Sequence, residues 1–268
     1  MEKTATTGPG SSDSTMSGDR LGRTDLGNAV RLCKYFGESI RFCPKWGKWL
    51  HWDGRRWAPD ETGEVMRYAK DTVVTILDEA KAAPDDDRKA LTRWQVQSES
   101  EGKLRAMLTL AETEPGIPVR PGELDANPWL LNVENGTLNL ELGSLSSHWR
   151  RDLITKLAPV RYLGDSARCP RWLEFLDEIF DSDAQLIHFV QKAVGYSLTG
   201  DTREQCLFIL YGTGANGKST FLEVLRSMLG EYAMQSDFNA FLVNRSHDGP
   251  RNDVARLAGA RFVSAIEV

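Results

Sequence analysis

The stretch from Cys206 to Thr220 constrains this chain more than any other. It opens with Cys206-Leu207-Phe208-Ile209-Leu210-Tyr211, all apolar or aromatic and free of Gly and Pro. Such a run is too short for a helix and predicts a strand buried on both faces. Gly212-Thr213-Gly214-Ala215-Asn216-Gly217-Lys218-Ser219-Thr220 follows and fits the phosphate-loop pattern G-x-x-x-x-G-K-[ST]. Phe221, Leu222, Leu225 and Leu229 then recur at helical spacing, with Gly230 as a stop signal.

The pattern has a chemical reason. Glycines let the backbone curl so that several N–H groups converge on a phosphate chain. A helix starting near Gly217 adds its positive dipole end and its free N–H groups. Lys218 supplies a mobile point charge for β- and γ-phosphates, and the Ser219 hydroxyl suits Mg²⁺. Residues 212–220 are therefore expected to bind a nucleotide, with ATP and Mg²⁺ as ligands. The competing reading is a Gly-rich turn between strand and helix with a coincidental Lys-Ser. A phosphate loop also needs a partner strand carrying a carboxylate to hold the metal or orient water. Arg261-Phe262-Val263-Ser264-Ala265-Ile266-Glu267 reads as an apolar strand ending in an acid. Lys218 and Glu267 are thus the catalytic candidates, and Ser219 and Glu267 the metal ligands. For Glu267 the alternative is an ordinary glutamate at a strand end.

The rest of the chain sorts around this site. Residues 1–20 are Gly, Ser, Thr and Asp with almost no apolar content and read as a disordered leader. Thr24 or Asp25 caps a helix through Phe36, ended by Gly37. An aromatic meander follows, with Asp53-Gly54 as its turn signal. There Trp46, Trp49, Trp52 and Trp57 interleave with Lys45, Lys48, Arg55 and Arg56. This is either a stacking platform for single-stranded nucleic acid or a small sheet whose tryptophans are its core. The second is preferred, because small sheets need large side chains to gain any core.

A helix is expected from Glu64 to about Ala83, and two more between Arg88 and Glu112, with Asp85-Asp86-Asp87 as an N-cap cluster. Asn135-Gly136 marks a hairpin. Pro170 to Phe180 and Asp183 to Leu198 are amphipathic helices. After Gly230 the pattern loosens, with Phe238, Phe241 and Leu242 as its apolar residues and Asn252 or Asp253 able to cap a short helix.

A net charge of −5 excludes a generally basic nucleic-acid coat but leaves room for a local basic patch. There is no run of 18 apolar residues and no apolar N-terminal segment, so neither a membrane span nor a secretory signal is expected. The four cysteines, Cys33, Cys43, Cys169 and Cys206, show no C-x-x-C pairing and read as reduced thiols in a cytoplasmic protein.

Gly212 to Thr220, with Asn216 before Gly217-Lys218, resembles the nucleotide loop of superfamily-3 helicases, and Leu257 to Glu267 is similar to the segment leading into their acidic strand. Asn127 to Leu140 and Gly195-Tyr196-Ser197-Leu198-Thr199-Gly200 resemble the phage/plasmid primase-helicase C-terminal family. The resemblance covers residues 21–268. It implies an AAA+-type ATPase, hexameric when intact, that acts on single-stranded or forked DNA in replication, encoded by a bacterium or phage and not bound to membrane. It also implies a sensor strand, a DNA-contacting hairpin and an arginine finger beyond residue 268. The expectation is therefore an α/β chain in four parts. These are the leader (1–20), an α+β N-terminal region with small antiparallel sheets (21–165), a helical linker (166–200) and an incomplete P-loop ATPase sheet (201–268), with little unwinding by this chain alone. Two other readings stay open. One is another P-loop NTPase or kinase, although no Arg-rich lid follows the loop beyond Arg245 and Arg251. The other is a non-catalytic DNA- or partner-binding module with a vestigial nucleotide site.

Overall fold

The computed structural model describes residues 21–238, 257 and 259–266. The expected leader, Phe241, Leu242, Arg245, Arg251, Asn252, Asp253 and Glu267 lie outside the described residues. The fold mixes helices with small antiparallel sheets. Its backbone divides into two units: residues 21–35 with Met66–Glu114, and Phe36–Val65 with Pro115–Val268.

The first unit is helical. It holds α1 (Asp25–Phe36) up to Tyr35, most of α2 (Glu64–Ala82), α3 (Asp85–Ser98) and α4 (Glu101–Ala111). Thr24 starts α1, its hydroxyl accepting from the Gly27 N–H at 3.0 Å. Asp85, Asp86 and Asp87 fall inside the first turn of α3 and Pro84 occupies the cap position, so they act on the helix dipole and not as caps. Ala29, Leu32, Val73, Ile76, Leu104 and Met107 are buried, and with them the polar Asn28, Arg31 and Ser98. The Asn28 amide links α1 to both Ser98 and Trp94, at 2.9 and 3.0 Å. A side chain at Gly27 would collide with the Gly22 carbonyl, so only glycine admits the incoming chain here. Burial also pushes the Cys33 thiol up to about 11 and keeps it protonated.

The second unit carries three small sheets. β1 (Ile40–Cys43), β2 (Lys48–Trp52) and β3 (Trp57–Pro59) form an antiparallel meander. Its core is Cys43, Leu50, Trp57, Val119 and Leu124, with Trp57 fully buried. The tryptophans divide as a small sheet requires: Trp57 is the core, Trp52 packs against it at 5.7 Å, and Trp46 is exposed.

β4 (Leu130–Val133), β5 (Gly136–Asn139) and β6 (Ser144–Ser146) form the second sheet. Val133 pairs with Gly136, so the two-residue loop is Glu134-Asn135, one residue earlier than the Asn-Gly signal implies. Gly136 serves packing instead, because a Cβ there would strike the Ser146 carbonyl on β6.

α5 (Pro170–Ile179), α6 (Ala184–Leu198) and α7 (Lys218–Leu229) complete the helices. Asp183 caps α6, accepting from the N–H groups of Gln185 and Leu186 at 2.9 and 3.0 Å. β7 (Ala233–Asp237) and β8 (Phe262–Ile266) pair in parallel. Arg261, just before β8, ties this region together. Its guanidinium donates to the carbonyls of Leu198 and Leu130 at 2.7 and 2.6 Å and lies 4.6 Å over the Tyr232 ring. Burial depresses the Arg261 pKa and pushes the Tyr232 phenol up to about 12.

One expectation fails. Residues 206–211 form no strand, and Leu207, Ile209 and Tyr211 are largely exposed. Among the described residues no strand lies beside them, and a strand without a neighbour cannot pair its N–H and C=O groups. The parallel pairing falls instead to β7 and β8. The apolar run therefore reads correctly for composition and wrongly for burial.

Candidate functional site

The geometry of the site starts from α7. Gly217 occupies its cap position at φ +81° and no side chain caps the helix, so the N–H groups of its first turn face outward without a local acceptor. Ala215 at φ +58° and Gly217 bend the preceding loop through left-handed conformations, which turns successive backbone N–H groups to one side.

Lys218, Gly212, Thr213 and Asn216 are brought together. The Lys218 ammonium donates to the Gly212 carbonyl at 2.9 Å, the Thr213 carbonyl at 3.3 Å and the Asn216 Oδ1 at 2.7 Å. Its three donors thus meet three acceptors, and the charge sits folded over its own loop. Gly212 sits at φ +148°, where a side chain is strained, and a Cβ there would also displace the Asn216 amide. Gly214, Ser219 and Thr220 are exposed, the last two in the first turn of α7. Glu267 follows directly on β8, and its position relative to Lys218 is outside the described residues.

The sequence does not reveal what supports this loop. Trp172, Phe175, Leu176, Ile179 and Phe180 of α5 and its end pack with Phe221 and Leu225 of α7. The Trp172 and Phe221 rings stack with centroids 5.7 Å apart and 16° between planes. Amphipathic spacing shows that α5 has an apolar face, but not which helix receives it. α5 presses directly on the loop: a Cβ at Gly217 would lie 2.6 Å from Ile179 Cγ2 and 3.1 Å from Phe175 Cε2. Gly217→Ala is therefore expected to cost about 1–3 kcal/mol in thermal or urea unfolding, since it combines this clash with a strained φ. It is expected to weaken any anion bound by the loop as well, which a ligand titration of the same variant measures.

His188 lies on α6 and is exposed. All four cysteines are free thiols, and among the described residues no group of three His, Cys, Asp or Glu side chains is placed to hold a metal ion. No helix among the described residues is long and apolar enough to cross a membrane.

Comparison with known proteins bears on the N-terminal part. The model of the family described as "D5 N terminal like" matches residues 29–181, more than half of the chain and all of it before the loop. A protein provisionally named helicase L207/L206, from Acanthamoeba polyphaga mimivirus, is 29% identical over 126 residues. That alignment spans 46% of this chain and 13% of the relative. A second, provisionally named helicase 121R, from Invertebrate iridescent virus 3, is 26% identical over 141 residues, 51% of this chain and 15% of the relative. The chain thus spans only a small part of the length of these curated relatives.

Proposed function

The chain belongs to the D5 N-terminal-like family, and from that membership we propose that it is part of a helicase-related replication protein of the primase-helicase type, which binds ATP at residues 212–220. Two lines support the reading. Both viral relatives carry helicase names, and the loop after the family region combines the phosphate-binding sequence with an uncapped helix start and a lysine poised over it.

The single observation that carries the nucleotide assignment is the position of Lys218. Its ammonium is held by two loop carbonyls and one amide oxygen, all neutral acceptors. A phosphate oxygen is a stronger acceptor for an ammonium than any of these. An arriving triphosphate would exchange with them, while the N–H groups of residues 214–219 receive the remaining oxygens. The donor set fits this ligand, since it is cationic and rich in free N–H groups. Ser219, exposed at the first turn of α7, would offer its hydroxyl to Mg²⁺, and Glu267 is the proposed second ligand. Mg²⁺ would offset the negative charge of the phosphates there.

The same reading assigns the chain to an AAA+-type, superfamily-3 architecture, hexameric in the intact protein. In it residues 206–211 become a central strand once neighbouring strands flank them. The exposed apolar side chains of Leu207, Phe208 and Ile209 favour this, since such a run is stable only when covered. Binding and hydrolysis then separate. The loop alone grips the nucleotide, whereas turnover and unwinding need the complete sheet.

The test is a titration of the full chain with MgATP, followed by thermal unfolding. Binding at a hundredfold excess over Kd is expected to stabilise the chain by about 2.7 kcal/mol, which appears as a rise in Tm. No shift at millimolar MgATP sinks the nucleotide reading.

A further inference from the structure

The nucleotide site leaves unused a cluster of arginines and tryptophans on the second unit. The guanidinium of Arg151 lies 3.7 Å over the ring of Trp149, that of Arg150 lies 5.7 Å over Trp52, and that of Arg41 lies 4.6 Å over Trp57. The arrangement is continuous, because Trp57 Nε1 donates to the Arg150 carbonyl at 2.8 Å. Trp57 is the buried anchor, whereas Trp149, Arg150 and Arg151 are exposed.

These cations outnumber their acids. Among the described residues neither Arg150 nor Arg151 forms an ion pair. The acids nearby are Glu38, which favours the charge on Arg41, and Asp152, which feels Arg151. Burial weighs most on Arg41, and Glu38 attracts it more than Arg150 repels it. Arg150 and Arg151, exposed and outside any ion pair among the described residues, are the charges left to meet an anion. Trp149, 45% exposed, keeps ring surface open beside the guanidinium that stacks on it. A polyanion with flat, unpaired aromatic groups at regular intervals satisfies both features. Phosphates pair with the guanidinia and a base stacks on the indole.

We propose that Trp149, Arg150 and Arg151, backed by Arg41 and Trp52, form a binding surface for single-stranded DNA. The choice of DNA over RNA rests on the replication reading above, and the surface itself does not. A duplex fits poorly, because its bases expose no free face to Trp149. The interleaved segment 45–57 supplies only the support of this surface. Its stacking residue comes from 149–151, a stretch whose sequence carries one tryptophan beside two arginines.

Fluorescence anisotropy of a labelled twenty-residue oligothymidylate with the full chain tests this. Trp149→Ala is expected to weaken binding about tenfold, and Trp149→Phe to restore most of it. The pair Arg150→Ala and Arg151→Ala is expected to lower the slope of log K against log salt by about 1.4, two phosphate contacts on a single strand. One control is expected to bind as the parent does: a triple alanine variant of Arg88, Lys89 and Arg93, an exposed basic stretch of α3. The proposal is overturned if the parent does not bind, if the α3 variant rather than Trp149→Ala loses binding, if duplex DNA or an acidic polypeptide competes as well as the oligomer, or if oligouridylate binds more tightly. Failure of MgATP binding with the oligomer still bound would remove the nucleotide reading and leave this surface standing.

Discussion

Lys218→Ala is expected to abolish nucleotide binding in this chain or weaken it by about a hundredfold, comparable to the loss when one preorganised donor to a developing anion is removed. The substitution removes the one side-chain cation that, among the described residues, is hydrogen-bonded to the loop. In the parent that ammonium is bonded to Gly212, Thr213 and Asn216 and so carries no unmet donor. Alanine leaves those acceptors to water, since Gly212 and Thr213 are exposed, so the fold loses little. Helix α7 stays anchored through Phe221, Leu225 and Leu229, all buried. The expected signature is thus a large loss of MgATP affinity, read by titration with a fluorescent nucleotide, with an unchanged unfolding midpoint in the absence of ligand. Equal ATP affinity in parent and variant would mean that the helix dipole and backbone alone hold the anion, or that the loop holds none. Lys218→Arg separates the contributions of charge and shape. The guanidinium keeps the charge but cannot fold into the same three contacts, and is expected to recover only part of the affinity.

Local signals in the sequence located several helix starts, although Asn135-Gly136 misplaced its turn by one residue and Asp85-Asp86-Asp87 does not cap α3. Asp183 caps α6, Pro170 opens α5, and Gly217 takes the left-handed conformation that starts α7. What depends on partners distant in the chain was not legible. Residues 206–211 have the composition of a buried strand, yet nothing in six residues states whether neighbours stand beside them. β7, Ala233-Met234-Gln235-Ser236-Asp237, has the opposite history. Its mixed composition hides a strand that forms because β8 pairs with it in register. The candidate site was legible as a motif in residues 212–220. The pressure of Ile179 and Phe175 on Gly217 was not, because it depends on how α5 meets α7. Arg31 is the clearest case: nothing in the sequence sets it apart from other helix arginines, but the structure buries it completely.

That burial sets the second large effect. Arg31 has five N–H donors, and each has an acceptor. Nε and Nη2 grip the two Glu79 carboxylate oxygens at 2.8 and 2.7 Å, and Nη1 and Nη2 reach the carbonyls of Gly22 and Leu21 at 2.8 and 3.0 Å. The last, at 3.5 Å, goes from Nη1 to Asn28 Oδ1. A planar guanidinium alone can meet this fork. Arg31→Ala removes the cation and leaves a cavity lined by a carboxylate and two carbonyls. Loss of one partner of a buried pair costs about 3–5 kcal/mol. Glu79 keeps 23% of its side-chain surface in water and can rehydrate in part, so the lower end, about 3 kcal/mol, is expected. Most of the penalty should fall on the helical unit, and urea unfolding followed by circular dichroism measures it. Arg31→Lys is expected to lose most of the same energy, because an ammonium brings three donors to five acceptors and cannot bridge both carboxylate oxygens in plane. The double variant Arg31→Met, Glu79→Leu discriminates between causes. If the cost comes from an orphaned carboxylate, removing both charges restores much of the stability of the parent, as apolar replacement of a buried pair does elsewhere. If the double variant is as unstable as Arg31→Ala, the essential contacts are those to Gly22 and Leu21, which hold the chain against α1 at Gly27.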